Sequence, residues 1–234
     1  MTGRHLCIAI PAYSGTVRAE TMSAILKEYG LLTQKGYQVT VDVQRDNAII
    51  ADCRNAIVAR FLDTKGLTDL LFVDHDVYWE PGTLIRLLEA PVDCMGAIYP
   101  LRNTTELKFK PRFLDDKPPN IASYPKHCRL EVEGMPIGCA RLSRRMLLRM
   151  VEAYRDTEFH CDYAPMGTAW GLFDQIKVGM DKYGEDYSFF MRWRRIGGKV
   201  WCDPDLVMGH VGTHASVGSL RQWLQGVQTQ KEAA

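Results

Sequence analysis

Leu70 to Val73 is an uninterrupted apolar run that breaks off at Asp74-His75-Asp76. Four apolar residues in a row, bounded by polar ones, read as a buried strand. In an open α/β sheet, ligands bind beyond the carboxyl ends of the strands, so a strand tip carrying two aspartates is a candidate ligand site. The two carboxylates repel, and the usual offset is a divalent cation. Hard Mg²⁺ or Mn²⁺ prefers carboxylates together with phosphate oxygens. A solvated acidic loop is the competing reading of the tripeptide alone. Strand alternation turns His75 away from both aspartates, which makes it structural. Trp79-Glu80-Pro81 then turns the chain, and Gly82 to Glu89 reads as a helix with Pro81 near its start.

The segments around this strand repeat one pattern. Leu6 to Ile10 reads as a first strand leaving through Pro11-Ala12-Tyr13. Gly15 to Tyr29 has helical spacing, with Gly30 as its C-cap. Tyr37 to Val43 alternates as a second strand, followed by the polar loop Arg45 to Asn47. Ala51 to Asp63 is helical and leads into the Leu70 strand. Strand and helix alternate three times, the βαβ signature of a parallel sheet. Further on, Val92 to Tyr99 reads as a strand and Arg102 to Lys126 as irregular. Leu130 to Val132 is a short strand, and Met135 to Ala140 leads into a basic helix, Ser143 to Tyr154, with Ser143 as N-cap. Asp156 to Thr168 reads as irregular, Asp186 to Arg195 as a helix stopped by Gly197-Gly198, and Lys199 to Cys202 as a strand. His210 follows a short apolar run, and a short helix begins at Ser219.

Composition narrows the class. With 234 residues, no linker and no repeat, one α/β domain spanning 1–234 is expected. A net charge of +1 exerts no global pull toward nucleic acid or membrane, and no apolar run is long enough to span a bilayer. The seven cysteines are scattered, odd in number and never at metal-ligand spacing. They read as reduced thiols of a cytoplasmic protein.

In this order, the segments resemble the GT-A glycosyltransferases, especially the family-two-like enzymes and small phage-type relatives. Four features between Leu6 and Gly212 carry the resemblance: Ile8 to Tyr13 at the end of the first strand; Asp74-His75-Asp76, matching the family's DxD motif; Ile137 to Arg145, like its glycine-plus-apolar segment before a basic helix; and Gly184-Glu185-Asp186, like its acidic motif, with His210 downstream. The resemblance implies a Rossmann-like domain with a mixed, mostly parallel central sheet flanked by helices. Residues 1–100 would form the nucleotide-sugar half, 101–218 the acceptor side and 219–234 a tail.

It also implies a reaction, the transfer of a sugar from a nucleoside-diphosphate sugar, most often a UDP-sugar, to an acceptor hydroxyl. Asp74 would contact the ribose or the metal. Asp76 and His210 would ligate Mn²⁺ or Mg²⁺. Asp186, with Glu185 beside it, would be the catalytic carboxylate that takes the acceptor's proton. Pro11, Ala12 and Tyr13 would line the nucleotide pocket, Asp42 or Arg45 would reach the base, and Arg54 would support the nucleotide. Gln44-Arg45-Asp46-Asn47 stands where the family usually has an Asp-Gly-Ser-type turn. Gly138 and Trp170, the latter expected to be exposed, fall on the acceptor side.

Other readings compete. Asp186 and Glu185 could simply favour a helix N-terminus, and His210 could be a core histidine. Asp74-His75-Asp76-Val77 also fits a haloacid-dehalogenase-type phosphohydrolase, although that family carries the motif on its first strand. A non-catalytic sugar-nucleotide-binding module is a third reading. Three basic clusters stand out: Lys108, Lys110 and Arg112 alternating with Phe109 and Phe113; Arg141, Arg144, Arg145 and Arg149; and Arg192, Arg194 and Arg195. Each is a solvated face or, interleaved with aromatics, a track for a nucleic-acid backbone. The second option makes DNA, for instance a hydroxymethylated base, a candidate acceptor.

Overall fold

The computed structural model describes residues 3–104 and 106–232, with side chains described through Thr229. Three strands, β1 (His5–Pro11), β2 (Gln38–Gln44) and β3 (Asp69–Val73), are mutually parallel, with Ile8 opposite both Val41 and Leu71. They are joined through α1 (Ala19–Gln34) and α2 (Ile50–Asp63). After β3 come β4 (Val77–Trp79), α3 (Thr83–Glu89), β5 (Cys94–Gly96), β6 (Leu130–Val132), β7 (Cys139–Ser143) and α4 (Arg144–Ala153). A hairpin, β8 (Glu158–His160) and β9 (Thr168–Trp170), and a ribbon, β10 (Lys177–Val178) and β11 (Asp181–Lys182), lead to α5 (Glu185–Arg195). β12 (Val200–Cys202), β13 (Met208–Val211), β14 (Ala215–Gly218) and α6 (Leu220–Glu232) complete the chain.

The central sheet has seven strands in the order β2-β1-β3-β7-β5-β12-β6. Five run in one direction, and β7 and β6 run against them. Successive residues of β3 face opposite sides. Leu70 and Phe72 join a core with α2, α4 and α5, whereas Leu71 and Val73 join a core with α1 and α3. A strand covered on both faces must be apolar at every position, which is why the Leu70 run does not alternate. The fold is therefore a mixed α/β, Rossmann-like arrangement with a mostly parallel sheet.

β7 is a finding the apolar pattern hid. Cys139 to Ser143, expected as a lead-in to a helix, is instead a strand wedged antiparallel between β3 and β5. Arg141 breaks the apolar run, yet it is only 1% exposed. Its guanidinium donates to the carbonyls of Leu87 (3.1 Å), Ala90 (2.9 Å) and Val92 (2.7 Å), and lies 3.7 Å from Asp69. Paired this way, an arginine can sit in a sheet interior. Ser143 caps α4, its Oγ accepting from Met146 N–H at 3.1 Å.

Other boundaries differ from expectation. α1 passes through Gly30, because Leu32 continues the buried stripe of Thr21, Ala24, Ile25 and Glu28. The break comes at Gly36, whose φ of +84° favours glycine. β5 is shorter than Val92 to Tyr99, ending at Gly96, and Tyr99 lies beyond it with its hydroxyl on Asp74. The stretch expected to be irregular from Asp156 to Thr168 holds β8 and the start of β9. All seven cysteines are free, and six are buried. Among the described residues, no helix is long and apolar enough to cross a membrane.

Candidate active site

Asp74 sits just past the end of β3, where the backbone turns. Its N–H donates to the Gly138 carbonyl (2.9 Å), and its carboxylate accepts from Tyr99 Oη (2.8 Å) and Arg54 Nη2 (2.9 Å). Arg54 reaches it from α2 and is 3% exposed. The other end of its guanidinium, Nη1, donates to Glu185 Oε1 (3.2 Å) and to Asp186 Oδ1, both at the start of α5. One buried arginine thus draws together three carboxylates from a strand tip and a helix start.

The charges in this cluster are unequal. Burial alone would lower the Arg54 pKa, but the charges of Asp186, Asp74 and Glu185 outweigh it and raise it. Burial pushes the Asp186 carboxyl up to about 7; Glu185 and Asp74 push the same way, and Arg54 opposes them. Burial, with Asp74 beside it, raises the Tyr99 phenol well above its ordinary range, so it stays protonated and donates to Asp74.

Asp76 forms a second cluster beside the first. β4 pairs antiparallel with β13, setting His210 opposite Val77, and Val211 N–H donates to the Asp76 carbonyl at 2.9 Å. His210 Nε2 consequently lies 3.4 Å from Asp76 Oδ2. The same carboxylate accepts from Arg102 Nη1. Burial acts to raise the Asp76 pKa, but His210, His75 and Arg102 outweigh it and hold the carboxyl below its ordinary range.

The two clusters share the walls of an open cleft of about 340 Å³ at the carboxyl ends of β1 and β3. Pro11 and Tyr13 line it at the exit of β1, and so do Arg54, Asp74, Asp76, Glu185 and His210. His75 lines it too. The turn after Val73 ends the strand alternation that would have pointed His75 away.

Several expected site residues lie elsewhere. Ala12 is buried beneath the cleft, its N–H bonded to the Gln44 carbonyl (2.8 Å). Asp42 is spent on Arg60, whose Nη2 donates to it at 2.7 Å. Arg45 is exposed and lies along Gly15, outside the cleft wall. Asn47 and Ile50 line the wall in their place. Gly138 is not at an acceptor face but under the carboxylate. A Cβ there would come 2.1 Å from Asp74 Oδ2 and 2.5 Å from Tyr99 Oη. Trp170, expected to be exposed, is half-buried in β9 against α2 and lines a separate cavity with Ala59 and Leu62. The sequence reading missed Tyr99 and Arg102; their one signal was their place just beyond a strand.

The cleft's donor set fits a divalent cation on two counts. His210 Nδ1 lies 2.9 Å from the Pro100 carbonyl oxygen. A carbonyl only accepts, so Nδ1 donates to it and Nε2 is the nitrogen turned toward the Asp76 carboxylate, 3.4 Å away. An imidazole nitrogen beside a carboxylate oxygen is a pair of ligands that a divalent cation accepts. Fixing a ligand imidazole through its other nitrogen is the usual support for metal binding. The second count is charge. Asp74, Asp76, Glu185 and Asp186 stand against Arg54 and Arg102, a formal −2 when all four acids are ionised.

A second group of potential ligands, His127, Asp203 and Asp205, brings its donor atoms within 4.8 Å of one another. There Asp203 is paired with Arg86, and Asp205 with Arg221. Two guanidiniums already balance those two carboxylates.

No protein-family model matches the chain, and no curated protein matches it. Among solved structures it is similar to A197 from STIV, with a TM-score of 0.51 and 17% identity, over 89% of this chain and 86% of that one. This likeness shows a shared fold. A glycosyltransferase involved in the glycosylation of the major capsid of PBCV-1 matches 64% of this chain and 66% of its own length, with a TM-score of 0.31 and 15% identity. A likeness that distant carries no argument.

Proposed function

We propose that the cleft transfers a sugar from a nucleoside-diphosphate sugar, a UDP-sugar in the first instance, to an acceptor hydroxyl. The observation that carries this reading is a pair of differently tuned acidic groups at the strand ends, Asp76 in the cleft wall and Asp186 joined to that wall through Arg54. Asp76, opposite His210, is held ionised, whereas Asp186 is pushed up to about 7. Environments that drive neighbouring carboxylates apart in pKa assign them different roles.

In this reading Asp76 and His210 would hold Mn²⁺ or Mg²⁺, with Asp74 lining the same cleft; when bound, the cation would supply positive charge to the leaving diphosphate. Pro11, Tyr13 and Ile50 give the nucleoside a partly apolar wall, and Arg102 can turn from Asp76 to a phosphate oxygen. Asp186 receives the proton of the acceptor hydroxyl as that oxygen bonds to the anomeric carbon and the bond from that carbon to the diphosphate breaks. Arg54 keeps Asp186 oriented and stabilises its ionised form. Tyr99 holds Asp74 in place by donating to it.

The test is nucleotide release from UDP-, GDP- and TDP-sugars with Mn²⁺, Mg²⁺ or EDTA, in the wild type and in Asp76→Asn. Release from one donor, abolished by EDTA and by the substitution, supports the reading. A panel with neither turnover nor donor binding by calorimetry rejects it. Donor binding with neither release nor transfer in the wild type would point instead to a sugar-nucleotide-binding module, and transfer undiminished in Asp186→Asn would exclude Asp186 as the base.

A further inference from the structure

A second cleft, of about 380 Å³, lies along the flank of α5. Tyr187, Met191, Arg194 and Arg195 line one side of it, at the i, i+4, i+7 and i+8 positions that share a helix face. Arg112 closes the other side. It is brought there by a bridge to Gly134, with N–H to carbonyl at 2.8 Å, and by Phe109 and Phe113, which are buried in the core on either side of it in sequence. One arginine of the first basic cluster and two of the third therefore line a single groove, while Arg192 is buried and donates to the carbonyls of Leu172 and Asp174.

The groove is built to meet an anion. The Arg112 guanidinium lies over the ring of Tyr183 at 4.7 Å and over that of Tyr187 at 5.8 Å. Tyr187 is itself fixed, its Oη donating to the Lys110 carbonyl and its ring resting against Gly134. Tyr183 engages one donor of the Arg112 guanidinium, and Asp116 and Glu133 add negative charge near it, while its other in-plane N–H donors are left to serve a ligand. Among the described residues, neither Arg112 nor Arg195 has a carboxylate within ion-pair distance. Arg194 has a long contact, 3.4 Å, with Glu131, which Lys199 also engages at 3.1 Å. Against these three guanidiniums the cleft sets one carboxylate, Glu133.

The spacing decides the kind of anion. From Tyr187, beside Arg112, to Arg195 is eight residues of helix, about 12 Å at 1.5 Å per residue. A single phosphate cannot span that distance, whereas a chain with repeated phosphates can. Half-buried tyrosine rings beside the arginines add stacking surface for planar bases, a pairing suited to single strands.

We propose that this second cleft binds a single-stranded segment of nucleic acid, with Arg112, Arg194 and Arg195 on its phosphates and the tyrosines against its bases. The cleft begins one residue beyond Asp186, so a strand held there is placed to present an acceptor hydroxyl. That consequence rests on the transfer reading above; the binding itself does not.

The measurement is fluorescence anisotropy of a labelled twelve-nucleotide oligo-dT with the full chain, in EDTA and without donor. Three engaged arginines predict a slope of log affinity against log salt of roughly −2. Arg112→Gln should weaken binding at least about tenfold, because one charge-assisted contact to a phosphate is lost. Arg195→Glu, at an exposed site that folding does not depend on, should do the same. An abasic oligomer of equal length should bind several-fold more weakly than oligo-dT. Asp76→Asn should leave strand binding intact, which separates this result from failure of the donor reading. Absence of binding at 50 mM salt would overturn the proposal. So would unchanged affinity in Arg195→Glu, or equal affinity for oligo-dT, the abasic oligomer and polyglutamate.

Discussion

His210 Nε2 faces Asp76 Oδ2 at 3.4 Å while its Nδ1 is held 2.9 Å from the Pro100 carbonyl oxygen. The carbonyl fixes which nitrogen bears the proton, and so which one can ligate. His210→Ala and Asp76→Asn should therefore each weaken Mn²⁺ binding at least about tenfold, the low end of what even outer-shell changes cost metal sites. Calorimetric titration of Mn²⁺ measures this, and unchanged affinity in both variants would remove the cation from this position.

Arg102 donates to the same Asp76 carboxylate and so competes with a cation for it. Arg102→Gln should raise the affinity for Mn²⁺ in the absence of donor and lower the affinity for the nucleoside-diphosphate sugar. The two titrations separate a competing guanidinium from a passive surface residue. A fall in both affinities would contradict the competition.

Asp186 titrates at about 7, raised first by burial. A general base must be ionised, so the transfer rate should climb with pH through about 7 and level off above it, by close to tenfold between pH 6 and pH 8. Folding stability moves the other way. A carboxyl whose folded pKa is raised contributes stability in full below its unfolded value, and that contribution is lost as pH rises through the folded value. Between pH 5 and pH 8 the melting temperature of Asp186→Asn should therefore rise relative to wild type. A rate independent of pH over this range would exclude Asp186 as the base.

Arg54 is the sole cation touching Asp74, Glu185 and Asp186 among the described residues. Removing one member of a buried ion-pair network leaves its partners uncompensated and typically costs 3–5 kcal/mol. Arg54→Met should show that loss in urea denaturation at pH 8, with part of it recovered at pH 5, where Asp186 is protonated. A loss of the same size at both pH values would show that packing against Phe72, not charge, is Arg54's contribution.

Gly138 leaves room for a carboxylate, not for a Cβ. Gly138→Ala should displace Asp74 and Tyr99, reducing transfer by well over tenfold at a stability cost of about 1–3 kcal/mol, the usual range for overpacking. Retained activity would mean that the position of Asp74 does not matter to the reaction.

The apolar run of Leu70 to Val73, the alternation of the early strands and helices, and the caps at Ser143 and Gly197 are local properties of the chain. Short-range sterics and burial dictate them, so β1, β2, β3 and their helices could be read directly, as could the pair of aspartates at the tip of β3. Long-range pairing decided the rest. β7 was hidden because the one charged residue in it, Arg141, finds its partners in carbonyls of the last turn of α3 and the residues just beyond it. Arg54 and Asp186 are 132 positions apart, and only the packing of α2 against the start of α5 makes them neighbours. The antiparallel register of β4 and β13 sets His210 before Asp76. Asp42 and Arg45 looked equally available to a ligand, but Arg60 had already engaged the first and the fold turned the second outward. A residue's chemistry is written in the sequence; which charges it must share that chemistry with depends on contacts that exist only after folding.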